Sequence, residues 1–287
     1  MSHWKRVSKR RPCPICEKPD WCGYTGPDVA PTSAMCQRVE SDKPCGDVGW
    51  LHRLRDNGDW RARRTVSVRG GRDTTNDASM LRLARDCHRQ ITIAQVEQLS
   101  RLLGVSVDNL WRLRVGWHQD KCVFTFPMRR DDGTVCGIRL RSPNGFKWSV
   151  TGSKTGIFVP TGQASPRTLL ICEGPTDLAA MLDLGFDGIG RPDCRSGVKA
   201  IVDYVRHVRS QSVIVVADVD SHGAGQKGAE TLAAVLAAYV TSLRVIQPPN
   251  KTKDARDWKR PGATRGDVLA VTGLADEFHI DIKVTQG

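Results

Sequence analysis

The C-terminal half of the chain alternates short, almost continuously apolar runs with amphipathic ones. The apolar runs include TLLICEG, SVIVVADVD and SLRVIQPP, and the amphipathic runs between them include TDLAAMLDLG, SGVKAIVDYVRHVR and AGQKGAETLAAVLAAYV. Continuous apolar strands separated by amphipathic helices are typical of a parallel sheet that is covered on both faces. The pattern predicts an α/β domain over residues 166–287, with the C-terminal tail included.

Residues 78–165 combine a helical pattern with alternating strands. The run from Ser79 to Gly104 has the spacing of a helical stretch that ends at the glycine, and Ser106 is suited to cap a short helix after it. The strand-like runs CVFTFPMR, TVCGIRLRS and FKWSV follow, separated by the turn sequences DDG and PNG. We therefore expect an α+β subdomain in which helices lead into a β meander.

The first 58 residues have little helical periodicity and are rich in Cys, Pro, Gly and Trp. A module of this size cannot bury enough apolar surface to fold on a core alone. Residues 59–77 carry Arg, Asn, Gly and Asp clusters without periodicity, which predicts a linker. The expected order is thus a small N-terminal module, a linker, an α+β subdomain and a parallel α/β domain.

Charge separates the middle of the chain from the rest. The formal net charge is +12, and nearly all of the excess falls between residues 61 and 160, with Arg more frequent than Lys. A localised basic excess of this kind favours a polyanion-binding face. Arg139 and Arg141 alternate with apolar residues, so both emerge on one face of a strand, and Lys147 and Lys154 follow on neighbouring elements. We expect these four side chains to contact the phosphate groups of a nucleic acid or nucleotide.

No run of the sequence approaches the roughly 18 apolar residues that a membrane-spanning helix needs. The N-terminal stretch MSHWKRVSKRR is basic but lacks the apolar core of a signal peptide. We therefore expect a cytoplasmic protein that has no membrane partner.

Acidic residues follow the ends of two apolar strands. Glu173 ends the run LLIC, and Asp218 and Asp220 end the run SVIVVA, while Asp177 lies one helical turn beyond a Gly-Pro turn. Parallel strands place such ends at one edge of the sheet, so these four carboxylates are expected to converge. Converging carboxylates repel one another unless cations compensate them, and carboxylate oxygen is the ligand that Mg²⁺ and Mn²⁺ prefer. The pattern predicts a divalent metal site.

These acidic motifs carry a family resemblance. The sequence EGPTD, then DVD within VADVDSHGAGQKGAETL, then KDARDW resembles the TOPRIM domain shared by bacterial and phage primases, topoisomerases and some nucleases, over residues 168–258. The resemblance implies that Glu173, Asp218 and Asp220 bind catalytic Mg²⁺ or Mn²⁺ and that Asp177 supports them.

Three further residues take their expected roles from the same resemblance. Asp254 and Asp257 fall where primases carry additional acidic residues, so they are expected to bind a second metal ion or to support the ligands. Lys227 follows the DVD motif by one loop and is expected to meet a triphosphate.

The cysteines of the first module predict a zinc site. Ten cysteines in a cytoplasmic protein are not expected to form disulfides, and the C-x₂-C spacing of Cys13 and Cys16 is typical of a zinc knuckle. Two more ligands must come from Cys22, Cys36 and Cys45.

Two patterns among primases assign these ligands differently. The stretch CPIC…MCQRVES…CGDVGWLHRL resembles the zinc-binding N-terminal domain of bacterial and phage primases, which favours Cys36 with Cys45. A shorter pattern of mobile-element primases, CPxC…DWC…C-RVES…GWLHRL, matches Cys13, Cys16, Cys22 and Cys36. We predict the second set, with Cys45 as the alternative fourth ligand, in a zinc-ribbon-like module that holds one structural Zn²⁺.

The middle segment, LGVSVDNLWRLRVGW followed by FTFPMRRDDGTVCGIRLRSPNGFKWSVTGSKTGIFVP, resembles the N-terminal half of a primase RNA-polymerase core. With it the resemblance covers nearly the whole chain. It implies a phage-like or mobile-element DNA primase, a nucleotidyltransferase that makes short RNA primers from ribonucleoside triphosphates on single-stranded DNA. About thirty residues follow KDARDW, so a replicative helicase is expected to act in trans if one is used.

Two other functions remain open at the level of sequence. A TOPRIM nuclease would use the same acids for hydrolysis, and a zinc-containing protein could bind single-stranded DNA without catalysis. A type IA topoisomerase needs a tyrosine nucleophile in a large further domain, whereas Tyr24, Tyr204 and Tyr239 lie in none.

Overall fold

The computed structural model describes residues 4–41, 43, 45, 49–54, 74–250 and 252–279. The chain divides into two compact units, residues 1–71 and 72–287. Most of the predicted linker and the end of the predicted tail lie outside the described residues. The proposed boundaries at residues 58, 77 and 165 remain predictions.

The first unit is a small antiparallel sheet. Its strands are β1 (Lys5–Arg6), β2 (Gly23–Thr25), β3 (Ser33–Cys36) and β4 (Trp50–Arg53). They lie in the order β1-β2-β3-β4, each paired with the next. The apolar cluster beneath them contains Val7 and Tyr24 together with cysteine side chains. Because so little apolar surface is buried, this unit needs a further source of stability.

Three helices open the second unit: α1 (Thr74–Gln90), α2 (Ile93–Leu103) and α3 (Val107–Arg112). The sequence pattern predicted one helical stretch where α1 and α2 are separate. The break occurs because Thr92 and Gln95 form a reciprocal capping box that starts a new helix. The predicted stop at Gly104, which has φ of 69°, and the predicted cap at Ser106 are both confirmed.

A four-stranded antiparallel sheet follows, formed by β5 (Gly116–His118), β6 (Val123–Arg129), β7 (Val135–Arg141) and β8 (Lys147–Ser149). On β7, Ile138 and Leu140 are completely buried in a cluster with side chains of α1. Arg139 and Arg141 alternate with them and project from the opposite face. Lys147 on the edge strand β8 pairs directly with Arg141.

The parallel sheet contains β9 (Thr168–Glu173), β10 (Gly188–Arg191), β11 (Ser212–Val216) and β12 (Ser242–Ile246) in the order β10-β9-β11-β12. Its helices are α4 (Gly174–Asp183), α5 (Val198–Val208), α6 (Ala224–Leu236), α7 (Ala255–Lys259) and α8 (Arg265–Leu274). Alternate residues of β9 and β11 enter two different apolar clusters, one containing α5 and α6 and the other containing α7 and α8. The predicted α/β fold with helices on both faces is confirmed.

Two connections join the antiparallel sheet to the parallel one. Ile157 exchanges backbone hydrogen bonds with Arg129 of β6, and the next residue, Phe158, does so with Gly190 of β10. In addition, Asp183 at the end of α4 accepts hydrogen bonds from side chains of α3 and α7. Within the described residues, no helix is long and apolar enough to span a bilayer.

Candidate active site

Four thiols of the first unit come together as a potential metal site. The sulfur atoms of Cys13, Cys16, Cys22 and Cys36 all lie within 4.8 Å of one another. The Sγ atoms of Cys16 and Cys22 are 3.7 Å apart, and those of Cys22 and Cys36 are 4.0 Å apart. Zinc–sulfur bonds of about 2.3 Å in a tetrahedron place sulfur atoms roughly 3.8 Å apart. The cluster therefore fits a structural Zn²⁺.

Backbone and side-chain donors surround these sulfur atoms. The backbone N–H groups of Arg38 and Val39 donate to Cys36 Sγ, and Arg38 Nη1 lies 3.8 Å from the sulfur atoms of both Cys16 and Cys22. Burial, together with the neighbouring thiols, raises the pKa of Cys22 to about 12. A group of thiols like this ionises when a cation is present to compensate the charge.

The alternative zinc ligand and the nearby histidine lie elsewhere. Cys45 donates its backbone N–H to Gly49 O and is not among the four clustered thiols of the described residues. His52 Nε2 is 3.0 Å from Val39 O. The donor set that assembles is the one matched by the shorter primase pattern.

In the second unit, carboxylates meet at the carboxyl edge of the parallel sheet. Glu173 is the last residue of β9, and Asp218 lies just beyond β11, the strand next to β9. A backbone hydrogen bond from Val219 N–H to Lys253 O brings the following acidic segment, which includes Asp254, to the same edge. We call Glu173, Asp177, Asp218 and Asp254 the acidic edge.

Asp177 reaches this edge from the first turn of α4. Gly174, with φ of 80°, makes the sharp turn between β9 and α4, a conformation that favours glycine. Asp177 is 4% exposed, and its Oδ1 accepts the backbone N–H of Arg256 at 3.2 Å. The turn therefore directs Asp177 inward towards α7.

The raised pKa values of Glu173, Asp177 and Asp218 indicate that carboxylates repel one another in a partly desolvated site. Burial raises the pKa of Asp218 to about 8, and the charges of Glu173, Asp177 and Asp254 add to the effect. Burial and then Asp254 raise the pKa of Asp177 to about 7, against the opposing charge of Arg256. Burial also raises the pKa of Glu173, although Arg191 opposes it. Carboxylates in this state suit a hard divalent cation.

Asp220, only two residues from Asp218, has a different environment. It is exposed, and its carboxylate accepts the backbone N–H groups of His222, Ala224 and Gly225 at the start of α6. Those hydrogen bonds, of which the one from Gly225 is the strongest influence, lower its pKa. Asp220 thus remains ionised while it caps the helix.

Helix α6 approaches the strand ends closely because of its glycines. A Cβ atom on Gly225 would lie 2.3 Å from the backbone oxygen of Asp218, and one on Gly228 would lie 2.1 Å from that of Cys194. These contacts are closer than any side chain permits, so glycine at these positions allows the helix to sit beside the acidic edge.

Asp254 and Asp257 belong to a local ion-pair network. Asp254 is 5% exposed and caps α7 by accepting the backbone N–H of Asp257 at 2.8 Å. Arg256 Nη2 lies 3.5 Å from Asp254 Oδ2 and 3.7 Å from Asp257 Oδ1. Asp254 therefore acts on the other carboxylates of the acidic edge, whereas Asp257 lies close to Arg256.

Basic side chains of β7 and β8 face these acids. Arg139 interacts electrostatically with Glu173 and donates a hydrogen bond to Pro192 O. The buried Arg141 interacts electrostatically with Asp177. Lys147 is solvent-exposed, and partial desolvation of its amine by neighbouring atoms lowers its pKa against the opposing charge of Asp177. We call Arg139, Arg141 and Lys147 the basic face.

Two other predicted basic residues lie outside strands β7 and β8. Lys154 is 3.9 Å from Asp77 of α1, and Lys227 is exposed on the first turn of α6. Three tryptophans of the second unit are partly buried against apolar clusters, Trp111 and Trp117 in one and Trp148 in another.

Sequence reasoning missed two arginines. Arg191, the last residue of β10, lies opposite Glu173 in the sheet register, and Arg256 lies between two acids of KDARDW. The available signal for Arg191 was its place at the end of an apolar strand, where a parallel sheet collects functional side chains.

Comparisons with known proteins support the fold assignment. No protein-family model matches the chain, and no curated protein matches it. The structure is similar to the E. coli primase catalytic core, with a TM-score of 0.54 and 16% identity, covering 70% of this chain and 80% of that one. It is similar to a DnaG primase catalytic domain bound to single-stranded DNA, with a TM-score of 0.56 and 16% identity, covering 71% and 80%.

A third solved structure contains both kinds of module that the sequence predicted. The Aquifex aeolicus primase, described as zinc-binding and RNA polymerase domains, matches with a TM-score of 0.55 and 11% identity, covering 73% of this chain and 63% of that one. At these identities the likeness is one of fold. The predicted resemblance is confirmed at that level: this chain has a fold similar to the catalytic core of DnaG-type primases.

Proposed function

We propose that this chain is a DNA primase, which joins ribonucleoside triphosphates on a single-stranded DNA template. The observation that carries the proposal is that the basic face interacts electrostatically with Glu173 and Asp177 of the acidic edge. The acidic edge provides ligands for divalent cations, and the basic face provides positive charges that bind phosphate. The two together suit nucleotidyl transfer. The primase-like fold and the four-thiol cluster support this function over other phosphate chemistry.

Glu173, Asp218 and Asp220 are the proposed ligands of Mg²⁺ or Mn²⁺, with Asp177, Asp254 and Asp257 supporting them. When bound, the metal ions would lower the charge on the α-phosphate and help a 3′-hydroxyl to ionise. Asp220 is held in its ionised form by backbone donors, so it needs no cation to lose its proton. Asp177 is held by α7, which limits its freedom to turn away.

The basic face has the proposed role of binding phosphate groups. Arg141 and Lys147 are direct neighbours across two strands, so their charges act together on one side of the sheet. Arg139 is fixed by its hydrogen bond to Pro192 O and adds a third cation nearer to Glu173. Together they orient a polyphosphate against the acidic edge and favour a nucleic-acid backbone over neutral ligands. Lys154 and Lys227 remain predicted contacts.

The zinc unit is proposed to read the template before synthesis begins. Its four-thiol cluster would fix the loops around Cys13 and Cys36, which a core of this size cannot do alone. Single-stranded DNA is the proposed template because one structural neighbour is described with it bound. A replicative helicase remains a predicted partner.

Primer synthesis tests the proposal directly. The full chain is incubated with single-stranded DNA templates of varied sequence, labelled ribonucleoside triphosphates and Mg²⁺ or Mn²⁺. The expected products are short oligoribonucleotides that disappear with EDTA and with Asp218→Asn. Lys199→Met is the matched control, because Lys199 is 89% exposed and pairs only with its helix neighbour Asp203 among the described residues.

The same assay separates the alternative functions. Shortened template without new oligomers would identify a nuclease. Template binding without either product, unchanged in Asp218→Asn, would identify a non-catalytic single-strand binder. Unchanged primer synthesis by Asp218→Asn would refute the proposed role of the acidic edge.

A further inference from the structure

Arg191 is a buried cation beside the acidic edge. It is 1% exposed and lies opposite Glu173 in the register of β10 and β9. Its Nη1 donates to Cys194 O at 3.3 Å, and its Nη2 lies 3.8 Å from Glu173 Oε2. Among the described residues, Nε and Nη2 have no hydrogen-bond partner. The guanidinium therefore acts on Glu173 through charge, without a formed hydrogen bond.

A buried guanidinium is unstable unless a nearby negative charge compensates it. An arginine side chain stays protonated in proteins, so it cannot neutralise itself when it loses water. The negative charge that compensates it here is that of Glu173, the carboxylate that lies within salt-bridge distance of Arg191. The relation is mutual, because the same cation offsets the repulsion between the crowded carboxylates.

Arg256 is the contrasting case at this site. Its guanidinium lies near two acids of its own segment, Asp254 and Asp257, and it is more exposed than Arg191. Arg191 instead comes from a separate strand and has a single nearby carboxylate, Glu173, within salt-bridge distance among the described residues. Arg191 therefore differs from Arg256 in that it is held next to a proposed metal ligand by a different strand.

We propose that Arg191 is a built-in counter-cation of the acidic edge. It positions Glu173 and compensates the carboxylates while no divalent ion is bound, and its charge weakens the binding of that ion. Two cations near one carboxylate repel each other, so metal binding has to overcome the field of the fixed guanidinium. This inference rests on the proposed metal site, and it concerns how tightly that site holds its ion.

The test compares Mn²⁺ binding by the zinc-loaded wild-type chain with that by Arg191→Met, which keeps the length of the side chain and removes the charge. Calorimetric titration gives the affinity, and the signal absent from Asp218→Asn identifies the site. We expect Arg191→Met to bind Mn²⁺ about tenfold more tightly, which corresponds to ~1.4 kcal/mol. Arg191→Lys, which keeps the charge, should stay close to wild type.

Arg244→Met is the matched control on the same sheet. Arg244 lies on β12, where it contacts Glu277 and Ala275 and not the acidic edge. Its removal should leave Mn²⁺ affinity unchanged. Thermal unfolding gives a second reading: a given subsaturating Mn²⁺ concentration should raise the melting temperature more in Arg191→Met than in wild type or in the control.

Each result decides the matter. Equal or weaker Mn²⁺ binding by Arg191→Met would overturn this inference, as would a variant that fails to fold even with Mn²⁺ present. A variant that folds only when Mn²⁺ is added would support it. If the wild-type chain shows no Mn²⁺ signal that depends on Asp218, the proposed metal site fails and this inference with it.

Discussion

Asp218→Asn tests the electrostatics of the acidic edge separately from catalysis. The substitution keeps the shape of the side chain and removes its ability to ionise. Burial, followed by the charges of Glu173, Asp177 and Asp254, raises the pKa of Asp218 to about 8. An ordinary aspartate in the unfolded chain has a pKa near ~3.9. The folded protein therefore binds a proton that the unfolded chain releases.

The sign and size of the effect follow from linkage. The contribution of Asp218 to stability is most favourable below about pH 4 and is lost as the pH rises from about 4 to about 8. At pH 7 the loss would be on the order of 4 kcal/mol, and solvent at a half-buried carboxyl reduces this to about 2 kcal/mol. Without metal, Asp218→Asn should recover about this amount, which raises the melting temperature by about 4 to 8 °C.

Thermal unfolding in EDTA across this pH range measures the effect. The melting temperature of Asp218→Asn should exceed that of wild type increasingly as the pH rises towards 8. With Mg²⁺ the order should reverse, because wild type gains stability from the bound ion and the variant does not. An Asp218→Asn protein that is equally or less stable than wild type in EDTA at pH 8 would refute the argument.

Five other substitutions test separate parts of the fold. Cys22→Ser should abolish the bound zinc equivalent while Cys45→Ser retains it, as elemental analysis of the purified proteins will show. Gly225→Ala should lower the free energy of unfolding by about 1–3 kcal/mol, because its Cβ would overlap the backbone beyond β11. Gly273 lies in a helix with open space around it, so Gly273→Ala should instead raise the free energy of unfolding by roughly 0.5–1 kcal/mol. Equal free energies of unfolding for the two glycine variants in urea denaturation would contradict this account. Asp183→Asn should lower the free energy of unfolding by about 2–3 kcal/mol at pH 7. Hydrogen bonds lower the Asp183 pKa against burial, so this difference should shrink as the pH falls through that lowered value in acid titrations of stability, and a constant difference would contradict it.

The predictable features were local or periodic. Apolar strands, helix stops and caps such as Gly104 and Ser106 depend on short segments, so the sequence pattern found them. The acids at the ends of β9 and β11 were also predictable, because every parallel sheet gathers strand ends at one edge. The two-residue spacing between Cys13 and Cys16 was enough to indicate a metal knuckle, and both thiols belong to the four-sulfur cluster.

The features that escaped prediction depend on strand register or on the exact point where a helix begins, which hydrophobic periodicity does not reveal. Arg191 meets Glu173 only through the register of two parallel strands, which the run GIGR does not reveal. Asp220 matched the acidic motif, but its three backbone donors depend on the exact start of α6. The separation of α1 from α2 was missed because the capping box at Thr92 lies within a continuous helical pattern.

The adjacent bridges at Ile157 and Phe158 have a consequence for how the second unit unfolds. One residue is hydrogen-bonded to the antiparallel sheet and the next to the parallel sheet, so the backbone is continuous across the boundary between them. Separating the sheets would break four backbone hydrogen bonds and expose two fully buried side chains. The two sheets should therefore unfold as one cooperative block, and the amide protons of Ile157 and Phe158 should exchange with solvent as slowly as those of the central strand β9.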